Sequence, residues 1–337
     1  RTFRTRTLMS AMTLFPRHYS LSSLLGSSLA LALVINSPQI LAKPAPVRAP
    51  YIDDNLMCRA QPLPAVVQHL NGEAWKLDAK GRPSVLEEGM LIDEQESVKT
   101  SPSAFVSLLL GDGSRIVLPS SSEVRLHLVE EQAIPQVILQ QGQVEAYVLK
   151  RTSDYDRFQI VTPVGVLGVR GTHFRVRNDD QQSVVEVLNG QVAASRTEPL
   201  PVGRQAKKQP QTGPIEGELK VGARQGVLLK QQGELKTIDL LPAPRLMGQD
   251  GQKGDAPVWT LFLHPQPGAQ RYRAQVATDK TFMNIKQENF SSEPRLSFTG
   301  LKASFYHVRV SAFDDQGLEG ETGVYDIFYY PPATRVQ

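Results

Sequence analysis

The sequence predicts an all-β protein: a β module of stacked hairpins followed by a small β-sandwich. Two observations carry this expectation. Short runs alternate apolar and polar residues, as in Glu123-Val124-Arg125-Leu126-His127-Leu128, which places Val124, Leu126 and Leu128 on one face. Gly, Asn, Asp and Pro punctuate these runs from Ala65 to about residue 240, and helical periodicity is absent there.

The amino-terminal segment reads as an address. Arg17 and His18 precede a stretch from Tyr19 to Ala42 that contains no Asp, Glu, Lys or Arg. Its strongly apolar part, Leu24 to Ile35, is about a dozen residues, short of the roughly 20 that a membrane-spanning helix needs. Residues 1–42 are therefore expected to be a secretory signal peptide, with an upstream extension before Met9 or Met12, and Ala42 is the expected cleavage position. No later stretch reads as an integral membrane span.

Residues 43–64 hold Pro44, Pro46, Pro50, Pro62 and Pro64 and read as a linker. The first β module is expected over 65–200. A further β segment follows over 201–240, opening on a polar stretch with Arg204, Lys207 and Lys208. Leu241-Pro242-Ala243-Pro244 marks a boundary, and 241–330 carries a second strand pattern. One turn motif recurs at Asn71-Gly72-Glu73, Gln141-Gly142-Gln143, Asn189-Gly190-Gln191 and Gln232-Gly233-Glu234. Each reads as a tight hairpin, because Gly supplies the positive φ such turns require.

Composition bounds the function. Of 337 residues, 40% are hydrophobic and 21% charged, the balance of a folded chain. The 37 basic and 34 acidic residues leave a net charge of +3, so charge gives no case for nucleic acid. A single cysteine, Cys58, excludes an intramolecular disulfide framework and a multi-Cys zinc site.

The most specific string runs Thr162-Pro163-Val164-Gly165-Val166-Leu167-Gly168-Val169-Arg170-Gly171-Thr172-His173-Phe174-Arg175-Val176. It resembles the FecR domain, in which an apolar strand, a Gly-Val-Arg-Gly-Thr element and a Phe-x-Val strand occur together. Upstream, Val106 to Leu110, Gly111-Asp112-Gly113-Ser114 and Arg115 to Leu118 are similar to that family's strand, turn and strand, and Val184 to Ala194 to its closing hairpin. Gly168 and Gly171 are expected to bend the backbone, with Val164, Val166, Val169 and Phe174 in the core. Arg170 has two readings, a turn residue bonding nearby carbonyls or a contact for a partner's carboxylate or phosphate. His173 is the second binding candidate and is expected to point outward from its strand.

Over 241–330, Trp259, Tyr272 to Asp279 with Phe282, and Phe305 to Asp314 with Gly317-Leu318-Glu319-Gly320 are similar to the fibronectin-type-III-like modules found behind exported FecR domains. Two departures bear on function. Fewer than 25 residues precede the apolar stretch, too few for the cytoplasmic anti-sigma segment of the family's regulators. Residues 43–64 are likewise too short for a LysM peptidoglycan-binding module.

Catalytic chemistry finds no foothold. His69, His127, His173, His264 and His307 are scattered, no Gly-x-Ser-x-Gly elbow occurs, and no His or acidic spacing fits a zinc site. The pairs Glu87-Glu88, Glu130-Glu131 and Asp154/Asp156 read as solvated loops rather than glycosidase carboxylates. Tyr272, Phe305, Tyr306, Tyr329 and Tyr330 are either sandwich core or a sugar-stacking surface. No cofactor is expected. The sequence thus predicts a non-enzymatic periplasmic or secreted protein of the bacterial cell envelope that binds or scaffolds. Its expected partner is an envelope protein or a cell-wall glycan, and the alternatives are a periplasmic signalling role or glycan binding.

Overall fold

The β-branched alternation of the sequence becomes strand throughout. A computed structural model describes residues 62–129, 134–150, 158–179, 181–196, 217–252 and 257–330. The expected signal over 1–42, most of the 43–64 linker, Cys58, Glu130-Glu131, Asp154/Asp156 and the Arg204, Lys207, Lys208 group lie outside the described residues. Among the described residues every regular element is a strand, and no helix is long and apolar enough to cross a membrane.

Seventeen strands from Ala65–Asn71 to Ile238–Asp239 form one hydrogen-bonded network, which folds into two layers. The first layer runs in space Leu91–Ile92, Ala65–Asn71, Phe105–Leu109 and Arg115–Leu118, then the second half of Ile134–Tyr147. It continues through His173–Asn178, Gln182–Asn189, Gln225–Lys230 and Ile238–Asp239. The second layer runs Pro83–Val85, Ala74–Leu77, Ser97–Thr100 and Glu123–Val129, then the first half of Ile134–Tyr147. Phe158–Thr162, Gly165–Val169, Gln191–Arg196 and Leu219–Gly222 complete it. Every pairing is antiparallel except that of Phe158–Thr162 with Ile134–Tyr147.

The long Ile134–Tyr147 strand belongs to both layers. Gln141 pairs with Glu123 in the second, and Gly142 pairs with Asn178 in the first. Alternating residues of the two layers meet in one core, with Leu108, Ile116, Ala146, Phe174 and Val185 facing Leu126, Leu139, Ile160, Leu167 and Val192.

Three of the four glycine turn motifs do not close hairpins. Asn71-Gly72 leads from the first layer to the second, Gln141-Gly142 from the second to the first, and Asn189-Gly190 from the first to the second. They are corners, stacked so tightly on neighbouring corners that a side chain has no room. At Gly142, with φ +80°, a Cβ would lie 2.4 Å from the Ser121 carbonyl oxygen. Period-two patterning marks where a strand ends but not whether the next one pairs with it or crosses to the facing layer.

The corners are stitched by hydroxyls. Ser122 N–H donates to Thr100 Oγ1 at 2.9 Å, Gln143 N–H to Ser122 Oγ at 3.0 Å, and Gln191 N–H to Thr172 Oγ1 at 3.3 Å. Backbone donors that the turn removes from the ladders are thereby satisfied.

The carboxy-terminal residues form a sandwich. One sheet orders Leu246–Gln252, Val258–Leu263 and Arg295–Thr299; the other orders Ile285–Ser291, Arg271–Ala277, Ser304–Phe313 and Gly323–Tyr329. Trp259 lies at its centre, 1% exposed, stacked on Tyr329 with ring centroids 4.8 Å apart. Its indole N–H donates to Gln249 Oε1 at 2.7 Å, so the buried polar atom is paired.

Candidate functional site

The Gly-Val-Arg-Gly-Thr element forms one of the corners. Gly165–Val169 runs in the second layer, and the chain turns at Gly171, φ +63°, into His173–Asn178 of the first. A Cβ at Gly171 would meet Lys150 at 3.0 Å. Gly168, expected to bend, is instead extended strand paired with Gln159 and Ala193. Val164, Val169 and Phe174 enter the core as expected, whereas Val166 is half-buried on the opposite face, where it pairs with Ser195, and Leu167 takes the inward position. Arg170 is half-buried at the corner, and its carbonyl lies 3.2 Å from Thr172 Oγ1.

His173 does point away from the core of its own module, yet only 11% of its side chain is exposed. Its ring stacks on Tyr147 with centroids 4.0 Å apart, and its Nε2 lies 2.7 Å from Glu145 Oε1. What covers this face is the sandwich. Alternation in Val144-Glu145-Ala146-Tyr147, Phe174-Arg175-Val176 and Val185-Glu186-Val187 sends the apolar residues inward and Glu145, Tyr147, Arg175 and Glu186 to the outer face of the first layer. The same rule sends Arg273, Gln275, Arg309 and Ser311 to the outer face of the four-stranded sheet. The two polar faces meet, and all eight side chains are buried there.

Two ion pairs cross this joint, Arg309 with Glu145 and Arg175 with Glu319, while Arg273 is paired within the sandwich. Arg309 donates from Nη1 to Glu145 Oε1 at 2.7 Å and from Nε to Gln275 Oε1 at 2.6 Å. Arg175 meets Glu319 Oε1 at 2.8 Å and donates to the carbonyls of Glu319 and Gly320 at 2.8 and 2.7 Å. Arg273 bridges Glu319 Oε2 at 3.0 Å and Glu288 Oε2 at 2.7 Å. Glu186 Oε1 accepts from Glu319 N–H at 3.0 Å, while its Oε2 stays 3.9 Å from Arg175 Nε. Phe105, Val117 and Tyr147 pack against Ala277, Phe282, Met283 and Ile285 at one flank, and Val184 and Leu240 against Leu318 at another. Arg309 also lies 4.7 Å above the Phe282 ring.

Electrostatics differ among the carboxylates. Burial pushes Glu145 up, but Arg309 and His173 outweigh it and hold the carboxyl well below its ordinary range. Glu319 is likewise lowered, because Arg175 and Arg273 overcome burial. Glu186 goes the other way: burial dominates the distant Arg175 and raises it. Burial lowers His173 in spite of Glu145, so the ring is held neutral and donates to the carboxylate.

None of the joint residues other than His173 was legible as special. Nothing in one sequence says that Glu145 and Arg309, 164 positions apart, face one another. Elsewhere, Tyr272, Tyr306 and Tyr329 are sandwich core, and of the five candidate stacking aromatics Phe305 and Tyr330 remain on the surface. Among the described residues no group of three or more His, Cys, Asp or Glu could hold a metal ion. A shallow dent lined by Ala223, Arg224, Gln225, Asp239 and Leu240 offers no enclosed cavity.

The profile of the family described as FecR protein matches residues 96–193, a span that holds the Arg170 corner and the Glu145, His173, Arg175 and Glu186 face. None of the curated proteins matches the chain. Among solved structures, a protein named as a candidate anti-sigma factor from Parabacteroides distasonis is similar at 16% identity, covering 42% of this chain, with a TM-score of 0.33. The chain covers 59% of that protein's length. The extracellular domain of a protein named as a candidate hybrid two component system from B. thetaiotaomicron is similar at 10% identity, covering 63% of this chain and 36% of that one, TM-score 0.20. Chicken CNTN1 FN1–FN3 domains are similar at 12% identity over 80% of this chain and 99% of that one, TM-score 0.21. Scores at this level assign neither fold nor function.

Proposed function

We propose that this chain is an exported, non-catalytic cell-envelope protein in which a FecR-like module and a fibronectin-type-III-like sandwich act together as one rigid binding or scaffolding body. The observation that carries this reading is the joint. Glu145, Glu186, Arg175, Arg273, Arg309 and Glu319 are each 5% exposed or less and answer one another. Groups consumed in mutual pairing inside a closed interface are poorly placed to meet a substrate. Arg170, half-buried at its corner, remains the binding candidate toward a partner's anionic group, and His173 becomes a positioning element of the joint.

The FecR match over 96–193 supports a second reading, a periplasmic signalling component that relays the state of an outer-membrane partner. A rigid body fits a relay as well as a scaffold. Glycan binding draws less support, since three of five candidate stacking aromatics are core.

Crosslinking and recovery from cell fractions tests the proposal. The expected result is mature protein in the envelope fraction, crosslinked to a partner in a manner weakened by Arg170→Ala. Recovery only from the cytosol, with residues 1–42 attached, would overturn export. A hydrolytic activity abolished by changing Glu87 or Glu88 would overturn the non-catalytic reading.

A further inference from the structure

The four-stranded sheet of the sandwich ends on Gly323–Tyr329, which among the described residues pairs with Ser304–Phe313 alone. Its outer side is partly occupied at the start. Glu321 N–H donates to the Leu241 carbonyl at 2.8 Å, and Tyr325 Oη donates to the Pro244 carbonyl at 3.2 Å. Beyond that contact, no described strand pairs with the outer side of Asp326 to Tyr329.

Edge strands normally carry charges, prolines or bulges that forbid pairing with another chain. The opposite edge of the same sheet, Ile285–Ser291, holds Lys286 and Glu288. Gly323–Tyr329 holds one charge, Asp326, and that is already bonded to His307 Nδ1 at 2.6 Å. Beside it Phe328 is 63% exposed, Tyr330 67% and Phe305 49%. Phe305 and Phe328 are cross-strand partners, so they share a face. His307 and Arg309 lie on that face too, which means the aromatic patch is the uncovered continuation of the surface that seats the first module.

We infer that this edge is a homodimer interface, in which Asp326 to Tyr330 of two copies of this chain pair antiparallel about a two-fold axis at Phe328. The register is chosen by charge and by face. It sets Phe328 against Phe328 and Asp326 against Tyr330, so no carboxylate faces its own copy, and it joins Ile327 to Tyr329 on the core side. It also keeps the paired stretch clear of the Leu241 to Pro244 contact. A two-fold pairing of like surfaces is closed, so it ends at a dimer rather than a filament.

Sedimentation velocity of the full chain from about 1 to about 100 µM tests this, and a concentration-dependent doubling of mass is expected. Phe328→Lys sets two ammonium groups face to face at the axis and should weaken the dimer at least about tenfold. Because the side chain is mostly exposed, the melting temperature should hold, which separates loss of pairing from loss of fold. In a Cys58→Ser background, Phe328→Cys should give a disulfide-linked dimer under mild oxidation, since directly opposed Cβ atoms lie about 4.5–5.5 Å apart. Leu91→Cys, also exposed but in the other module, should not. A monomer at every concentration overturns the inference, as does a dimer that survives Phe328→Lys. So does a monomer whose tyrosine fluorescence responds to soluble peptidoglycan fragments through Phe328, which would assign the patch to glycan.

Discussion

Arg309 of the sandwich and Glu145 of the two-layered module form a buried ion pair, Nη1 to Oε1 at 2.7 Å, with the two residues 5% and 3% exposed. Two modules that meet through such a pair cannot slide or part without exposing opposite charges already stripped of water. Truncating one partner strands the other, which costs about 3–5 kcal/mol, whereas removing both relieves the desolvation penalty. Arg309→Met should therefore lower the urea midpoint strongly, and Glu145→Gln with Arg309→Met should recover most of the loss. Equal midpoints for the single and double variants would contradict the pairing.

Stability should depend on pH in two stages. The folded pKa of His173 is lowered from 6.5, so its contribution is full above about pH 6.5 and drains as pH falls toward the folded value. Glu145 and Glu319 are lowered from 4.5, and their contributions are lost only as pH falls below that. Glu186, raised from 4.5, contributes in the opposite sense: its share is present at low pH and lost as pH rises through its folded value. Melting temperature should thus begin to fall as pH drops below about 6.5 and fall again below about 4.5. His173→Gln should remove the first stage and leave the second.

The corner glycines should be costly to replace for two separable reasons. Gly142→Ala adds left-handed strain to a collision with the Ser121 carbonyl at 2.4 Å. Gly81, φ +77°, has open space around its absent Cβ, so Gly81→Ala should cost only the strain, about 1–2 kcal/mol. Chemical denaturation should rank Gly142→Ala well above Gly81→Ala.

Thr172→Val keeps shape and removes the oxygen that accepts from Gln191 N–H. The expected loss is about 1–3 kcal/mol, with faster hydrogen exchange at the Gln191 amide. Unchanged exchange there would mean that the hydroxyl does not hold the corner.

Much of this fold was legible before any coordinates. Alternation in Glu123 to Leu128 gives a strand and its inward face, and the structure buries Val124 and Leu126 accordingly. Three of the four glycine motifs were read at the right positions with the wrong geometry, because positive φ serves a corner as well as a hairpin, while Gln232-Gly233-Glu234 does join two paired strands. Gly168 was misread for a related reason: glycine in a strand pattern marks a bend or a close approach, and the sequence does not say which.

The candidate site was half legible. His173 stood out through its motif, but nothing in the sequence singles out Glu145, Glu186, Arg309 or Glu319 as ion-pair partners. Period two tells which face a charge occupies and is silent on what lies over that face.

By itself, then, the sequence determined the strands, their buried faces and the corner positions, since these follow from local backbone preference and from the pairing of alternate side chains with a core. Only the tertiary structure decided that two polar faces meet, making Arg309 and Glu145 partners and His173 a largely covered ring bonded to Glu145. Such a meeting depends on residues far apart in the chain whose charges cost too much to bury singly and become tolerable only when brought together.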